Sequence, residues 1–453
     1  MLMKQASDMI AIYKAVAKEL RSMMKNTYST IGDLIAQKNR IADQVRSLQG
    51  ISAALCVAPG WQSPSFLSSQ QSQAGLETGS IKGTINDYKR DHHADALRYE
   101  KQFAKAYIDA TLRFPPQAFL TSSGMAALTT IIAALLDDKT CTGPVLLGRS
   151  SYFENIELVQ THFPGRIIFI DELDTEAILV AIKDHAPSAI FLDTLCNAPT
   201  IAIPNVDELF PKIAAIISRP TTIVLDATGT SIFTQPLKGL PRFSASLRIV
   251  VFESMLKYHQ FGMDRVSGGI MWRTGMSPLH LFNHRMHCGT NIADASAVSL
   301  PQPNRKLLHD RLLRHHRNAT MIAKALDDRL RMSKKKIALE SVVYPGLPSH
   351  PAYSWVQHQP FHGSFVILKL KEKYRTTERY KKFLQCAIDE ARKQRVNLVG
   401  GSSFGLSTTR VYLTALHAIG TTEPFLRISA GTETVGEIEK IILAITRALE
   451  ALP

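Results

Sequence analysis

The sequence predicts an α/β protein with a mostly parallel central sheet, flanking helices, a smaller C-terminal α+β domain and an N-terminal helical arm. Two observations carry this. From about residue 120 to 275, short runs rich in Val and Ile alternate with helical stretches, the pattern of strands buried on both faces. Residues 1–48 instead show apolar positions at helical spacing throughout.

Taken in order, Met9, Tyr13, Val16 and Leu20 recur three and four residues apart, as do Ile31, Leu34, Ile41, Val45 and Leu48, so two helices broken near Gly32 are expected. The stretch from 51 to 84 is rich in Ser, Gln, Gly and Pro and reads as loop. Strands are expected at Val145–Leu147, Ile167–Ile170, Ala189–Leu192, Ile223–Leu225, Ile249–Phe252 and Gly269–Trp272. Residues 303–330 form a long helix. The C-terminal part has strands near Ser364–Leu370, Arg410–Ala415 and Leu426–Ser429, with helices near Thr377–Gln394 and Val435–Leu452. The expected division is an arm and loop segment at 1–84, a large α/β domain at 85–335 and a small α+β domain at 336–453.

A chain of 453 residues, 45% hydrophobic, is long enough to bury a sizeable core in two or three domains. No apolar run approaches the roughly 18 residues of a membrane span. Met1 to Met9 lacks a charged segment followed by an apolar one, so no signal peptide is expected. Five scattered cysteines suit a reducing cytosol better than a disulfide scaffold, and neither a CxxC pair nor HExxH suggests a metal. The formal charge is +14. Residues 303–336 hold eleven Lys and Arg against three Asp, on a helix with Leu307, Leu308, Leu312, Ile322 and Leu326 at roughly helical spacing. That reads as a solvated basic face. Nucleic acid is not expected, because no aromatic interleaving or recognition motif accompanies the charge.

Three strands end in an acid: Asp171, Asp193 and Asp226. Ligands of open α/β sheets bind beyond the carboxyl ends of the strands, so acids there are candidate site residues. Lys257, in "FESMLKYHQFG", follows an apolar strand directly, where partial desolvation lowers its pKa and readies the amine as a nucleophile. Asp226, in "TIVLDATGT", suits a cofactor whose pyridinium nitrogen needs an anionic partner, though alone it could equally cap a helix. "TSSGMAAL" places Ser123, Gly124 and Met125 at the start of an apolar helix, a place where backbone N–H groups bind phosphate. Phosphate cradle, acid and lysine follow in the order that a pyridoxal-5′-phosphate (PLP) site requires.

With these motifs the chain resembles the Cys/Met-metabolism PLP-dependent enzymes. This fold type I group, in the aspartate-aminotransferase superfamily, includes cystathionine synthases and lyases and homoserine sulfhydrylases. The resemblance covers about residues 85–440. It rests on "SSGMAAL", "FLDTLCNAPT", "VLDATGT", "SMLKY", "DRVSGGIM", "RHHRNATMIAKAL", "VVYPGLPSHPAY", "GSSFGLSTTR" and "FLRISAGTE". It implies PLP held on Lys257 as an internal aldimine, with Lys257 later shuttling the substrate's α-proton. Asp226 pairs with the pyridinium nitrogen. Tyr152 stacks on the ring and helps deprotonate the incoming amine. Ser123, Gly124, Met125 and Ser254 hold the phosphate, Asn197 meets the phenolic oxygen, and Thr228 lies close to the ring. Tyr88 and Arg90 reach the phosphate of a neighbouring subunit, which implies a dimer or a tetramer built from such dimers. Arg427, with Ser403 beside it, binds the substrate carboxylate.

The implied reaction is transsulfuration-type: elimination or replacement at the β or γ carbon of a sulfur-containing or homoserine-derived amino acid. Two alternatives stay open: another PLP reaction of specialised amino-acid metabolism, or a catalytically silent binding protein on the same fold. Departures from the family pattern are Leu256 for a phosphate-binding Thr, Ala227 for Asn, Leu195 for Pro, Met263 near a His, and "FEN" after Tyr152 for Gly-Gly-Thr.

Overall fold

A computed structural model describes residues 2–25, 31–56, 94–109, 116–238, 240, 246–264, 266–274, 277–332, 337–415 and 424–452. The chain divides into two compact units, Met1–Arg98 with Asn291–Pro301, and Tyr99–Thr290 with Gln302–Pro453.

In the first unit, helix α1 (Leu2–Lys25) packs on α2 (Ile31–Cys56). Val16 and Ile41 are buried, and Gln44 Nε2 donates across the pair to Glu19 Oε1 at 3.2 Å. Gly32, near which a break is expected, lies inside α2, which is already under way at Ile31, and residues 26–30 lie outside the described residues. Helix α3 (Ala94–Tyr107) carries the chain into the second unit.

The second unit is built on two sheets. Seven strands form the larger one: β1 (Gln117–Thr121), β2 (Val145–Gly148), β3 (Ile167–Ile170), β4 (Ala189–Asp193), β5 (Thr221–Asp226), β6 (Leu247–Ser254) and β7 (Gly269–Arg273), in the order β1-β7-β6-β5-β4-β2-β3. All six strands expected between 145 and 272 form. Strand β1 lies outside that expectation: "QAFLT" sits beside a proline pair, and its antiparallel pairing with β7 makes it a strand. The five strands β2 to β6 run parallel, whereas β7 is antiparallel to both β6 and β1. Every residue of β4 and β5 is buried, as crossover helices on both faces require. Those helices are α4 (Gly124–Asp137), α5 (Phe153–His162), α6 (Thr175–His185) and α7 (Val206–Ile216).

After α8 (Leu281–His287) and, in the first unit, α9 (Asp294–Ser299), α10 (Arg305–Met332) leads to the smaller sheet. Its strands are β8 (Leu339–Val343), β9 (Phe365–Leu370), β10 (Val399–Gly400), β11 (Arg410–Thr414) and β12 (Phe425–Ser429), ordered β10-β11-β12-β9-β8. Helix α11 (Tyr353–Val356) is a single turn before β9, and α12 (Thr377–Lys393) and α13 (Val435–Glu450) follow. One apolar core joins α10, α12 and α13 to this sheet through Ile322, Leu326, Phe383, Ile441 and Ile445. Several basic residues of α10 are engaged within the fold: Arg305 pairs with Asp109, Arg329 with Glu450, and Arg317 donates to the Glu433 carbonyl. Among the described residues no helix is long and apolar enough to cross a membrane, and no cluster of His, Cys, Asp or Glu is arranged to hold a metal.

The placement of α4 depends on one close approach. Gly269 pairs with Thr121 on one side and Ser254 on the other. A Cβ there would lie 2.1 Å from the Ser123 carbonyl oxygen and 2.7 Å from the Gly124 nitrogen, both backbone. Gly269→Ala should therefore cost about 1–3 kcal/mol through overpacking, read as a lower denaturant midpoint, and should displace the start of α4.

Candidate active site

Parallel register brings the carboxyl ends of β4, β5 and β6 side by side. Asp193 pairs with Asp226, Asp226 with Phe252, and β6 runs two residues further to Ser254. Lys257 follows three residues later. These residues line one cavity of about 550 Å³ together with Ser123, Gly124, Met125, Tyr152, Asn197, Thr228, Ser403 and Arg427. Of the sequence-derived site residues that are described, all but Asp171 line this same space. Tyr88 and Arg90 lie outside the described residues. Asp171, the third strand-end acid, is absent from the cavity lining: its carboxylate accepts from the Leu173 N–H at 3.0 Å on an exposed turn, so strand-end position alone overcounts the acids.

Lys257 is half-buried in the cavity wall. Its Nζ donates to Ser403 Oγ at 3.1 Å and sits 5.4 Å from the centre of the Phe404 ring. Burial first, and the Arg427 charge second, lower its pKa to about 8. Ser403 holds this position from a left-handed backbone conformation, φ +74°, unusual for a residue with a side chain.

Asp226 is held from two sides. Its Oδ1 accepts from the Thr228 N–H at 2.8 Å and its Oδ2 from Asn155 Nδ2 at 3.0 Å. Burial raises the pKa of both Asp226 and Asp193, and Asp193 is raised well above the usual carboxylate range, with the Asp226 charge as its second cause. Asp193 Oδ2 accepts the Tyr152 N–H at 2.7 Å. Sequence reasoning misses Asn155. Its only signal there is the departure "FEN", which places an amide about one helical turn past Tyr152.

Arg427, in the middle of β12, is buried and has no carboxylate partner among the described residues. It donates to Asn197 Oδ1 at 2.7 Å and to the Ser403 carbonyl at 3.1 Å, while its buried Nε finds no acceptor. Burial lowers its pKa to about 10. Such a guanidinium is built for an anion that the protein does not itself supply. Asn197 commits its carboxamide oxygen to Arg427, which leaves Nδ2 as the atom able to donate to a phenolate-type oxygen.

A candidate phosphate site stands at the start of α4. Ser123 caps the helix, its hydroxyl accepting from the Ala126 N–H at 3.0 Å, so the first-turn amides of Gly124 and Met125 open toward the cavity. Gly124 is required there, because a Cβ would lie 2.9 Å from the Ser254 Cβ. Ser254 is fixed in turn by its N–H, which donates to Thr228 Oγ1 at 2.9 Å. Leu256 contributes an apolar wall where the resemblance leads one to expect a hydroxyl. Amides for a phosphate, a carboxylate for a ring nitrogen and a desolvated amine for an aldehyde together fit PLP.

The chain belongs to the Cys/Met metabolism PLP-dependent enzymes, whose family model matches residues 52–450. Among curated proteins it is 24% identical over 345 residues to the bifunctional enzyme flvA of Aspergillus flavus, a match that spans 74% of this chain and 39% of that one. It is also 24% identical over 357 residues to cystathionine gamma-lyase of Dictyostelium discoideum, covering 73% of this chain and 79% of the relative. Among solved structures, metB from Corynebacterium glutamicum superposes with a TM-score of 0.63 at 23% identity, covering 81% of this chain and 87% of that one, which establishes the fold.

The lowered Lys257 pKa sets a pH dependence for cofactor capture. Below about 8 the amine is mostly protonated and unable to attack an aldehyde; above it the free amine dominates. Uptake of PLP by cofactor-free protein, followed by absorbance, should therefore accelerate between about pH 7 and 9 with a midpoint near 8.

Proposed function

We propose that this protein is a PLP-dependent carbon–sulfur lyase or transferase acting on a sulfur-containing or homoserine-derived amino acid. The observation that carries this reading is the convergence of Lys257, Asp226 and Arg427 on one cavity beyond the sheet's carboxyl edge. The relatives named as acting on cystathionine support the substrate class. A silent binding protein would have no reason to bury an uncompensated arginine beside a desolvated lysine.

When bound, PLP supplies an electron sink for the bonds of the substrate's α carbon. The chain's residues do the rest. Arg427 takes the substrate carboxylate in a bidentate grip, which fixes the α carbon relative to Lys257. Lys257 would take the substrate's α-proton at Nζ. Ser403 keeps that nitrogen in place. Asp226, pinned by Thr228 and Asn155, holds the ring nitrogen protonated. Tyr152, on the wall of the same cavity, meets the substrate amine. A leaving group then departs from the β or γ carbon. Release of the remainder makes the enzyme a lyase, and capture of a thiol makes it a transferase. Leu195, Leu256 and Phe404 leave an apolar lining suited to a thioether or ester side chain.

Tyr88 and Arg90 carry the further reading of a homodimer or a tetramer of such dimers with shared sites. Cys141, Cys196, Cys288 and Cys386 are unpaired, which supports work in a reducing compartment such as the cytoplasm.

The test is a substrate screen with cystathionine, methionine and homoserine esters, with and without a thiol, following ammonia, 2-oxo acid and thioether. At least one of these substrates should give a product that Lys257→Ala abolishes, and the absence of turnover with all of them would sink the reading. Arg427→Lys should raise KM roughly tenfold or more with a smaller change in kcat, because a lysine cannot reproduce the bidentate grip.

A further inference from the structure

The turn that presents Lys257 is closed by two buried side chains to which the function proposed above gives no part. Side chains alternate along β6, so Phe252 and Ser254 line the cavity. Glu253 points with Val251 to the other face of the sheet, toward Phe103 and Tyr107. Past the turn the chain brings His259 back to the same place, and a hydrogen bond of 2.7 Å joins its Nε2 to Glu253 Oε2. Glu253 is 6% exposed and His259 1%. The His259 ring packs against Phe103 and Tyr107, each 5.2 Å away centre to centre. Lys257 lies between the two ends of this clasp, four residues after Glu253 and two before His259.

Polar groups are expensive to bury, and an apolar pair of similar volume often fills such a space with no loss of stability. A hydrogen-bonded pair adds a fixed direction and length, and here these act on the turn. Other bonds act on it as well. Gln260 Nε2 donates to the Met255 carbonyl at 3.1 Å and to the Val266 carbonyl at 2.7 Å, and the Tyr258 hydroxyl meets Ser364 Oγ at 2.6 Å. Tyr258, His259 and Gln260 are thus all anchored in the interior, while Leu256 and Lys257 turn to the cavity. The clasp also reaches the Asp226 turn. Ser231 Oγ stands 3.3 Å from His259 Nε2, and the Ser231 N–H donates at 2.7 Å to the carbonyl of Ala227, the residue after Asp226. One buried cluster therefore ties the turn carrying the amine to the turn carrying the acid.

We propose that Glu253 and His259 are positioning residues for Lys257, their hydrogen bond closing the turn and setting where Nζ meets the aldehyde of PLP. The assignment rests on the role given to Lys257 above. The step it governs is a condensation. A bond forms between Nζ and the aldehyde carbon, and two amine hydrogens leave with the aldehyde oxygen as one water. Its rate depends on where Nζ lies. Holding the ring and phosphate does not depend on the clasp, because neither side chain lines the cavity.

The test uses the full chain freed of cofactor, as wild type, Glu253→Gln, Glu253→Val, His259→Leu and the Glu253→Val/His259→Leu double variant. Two probes are compared. Capture of PLP is followed as growth of the Lys257-dependent absorbance band. Pyridoxine 5′-phosphate has the same ring and phosphate without an aldehyde, and its affinity is measured by calorimetry. The double variant should bind pyridoxine 5′-phosphate within about twofold of wild type yet capture PLP roughly tenfold or more slowly. Glu253→Val and His259→Leu should show the same split. Glu253→Gln keeps a hydrogen-bonding group of the same reach and should stay near wild type with both probes. Should the single variants not accumulate as folded protein, the double variant decides, because it leaves neither polar group unpaired. PLP capture by the double variant within about twofold of wild type overturns the assignment. Parallel losses with both probes overturn it too, since they mark a general disturbance of the site. A wild type whose band survives Lys257→Ala removes the proposed function and the role of the clasp with it, whereas a normal band with undisturbed variants removes the role of the clasp alone.

Discussion

Desolvation of the Lys257 amine is the constraint around which the rest of the site is arranged. A lysine in water is a hydrated cation with little nucleophilic character. Here the chain leaves β6 at Ser254 and delivers the amine three residues later into a cavity where burial and the Arg427 charge both disfavour its protonated form. Lys257 and Arg427 line one cavity, and their hydrogen bonds go to neutral groups, Ser403 and Asn197. Such an arrangement suits an anionic ligand.

Proton positions follow from the same burial. Asp193 and Asp226 sit in register on adjacent strands, where burial disfavours the charged form of each. Asn155 and Thr228 donate to Asp226, which favours its charged form. Tyr152 is joined to this system through its backbone N–H on Asp193. Acid, base and anchor thus belong to one connected set, supported by the sheet edge on one side and by the loop carrying Ser403 and Phe404 on the other.

Much of this is legible in the sequence, and the exceptions have physical causes. Strands β4, β5 and β6 announce themselves because they are buried on both faces, so apolar residues dominate up to Asp193, Asp226 and Phe252. Lys257 and Asp226 are readable from their places after those strands, and Arg427 from its resemblance motif. Strand β1 is hidden because "QAFLT" owes its extended form to pairing with β7, a partner far along the chain. Asn155 is hidden because a polar residue at a helix start has the same sequence signature whether it faces solvent or a cavity. Asp171 misleads in the opposite sense, since an acid at a strand end serves a turn as readily as a ligand.

Borohydride reduction of the PLP-loaded protein followed by peptide mapping addresses the role of Lys257 most directly. One pyridoxyl adduct is expected, on the ε-nitrogen of Lys257. An adduct confined to another lysine, or none at all under conditions that saturate the protein with PLP, would contradict that role.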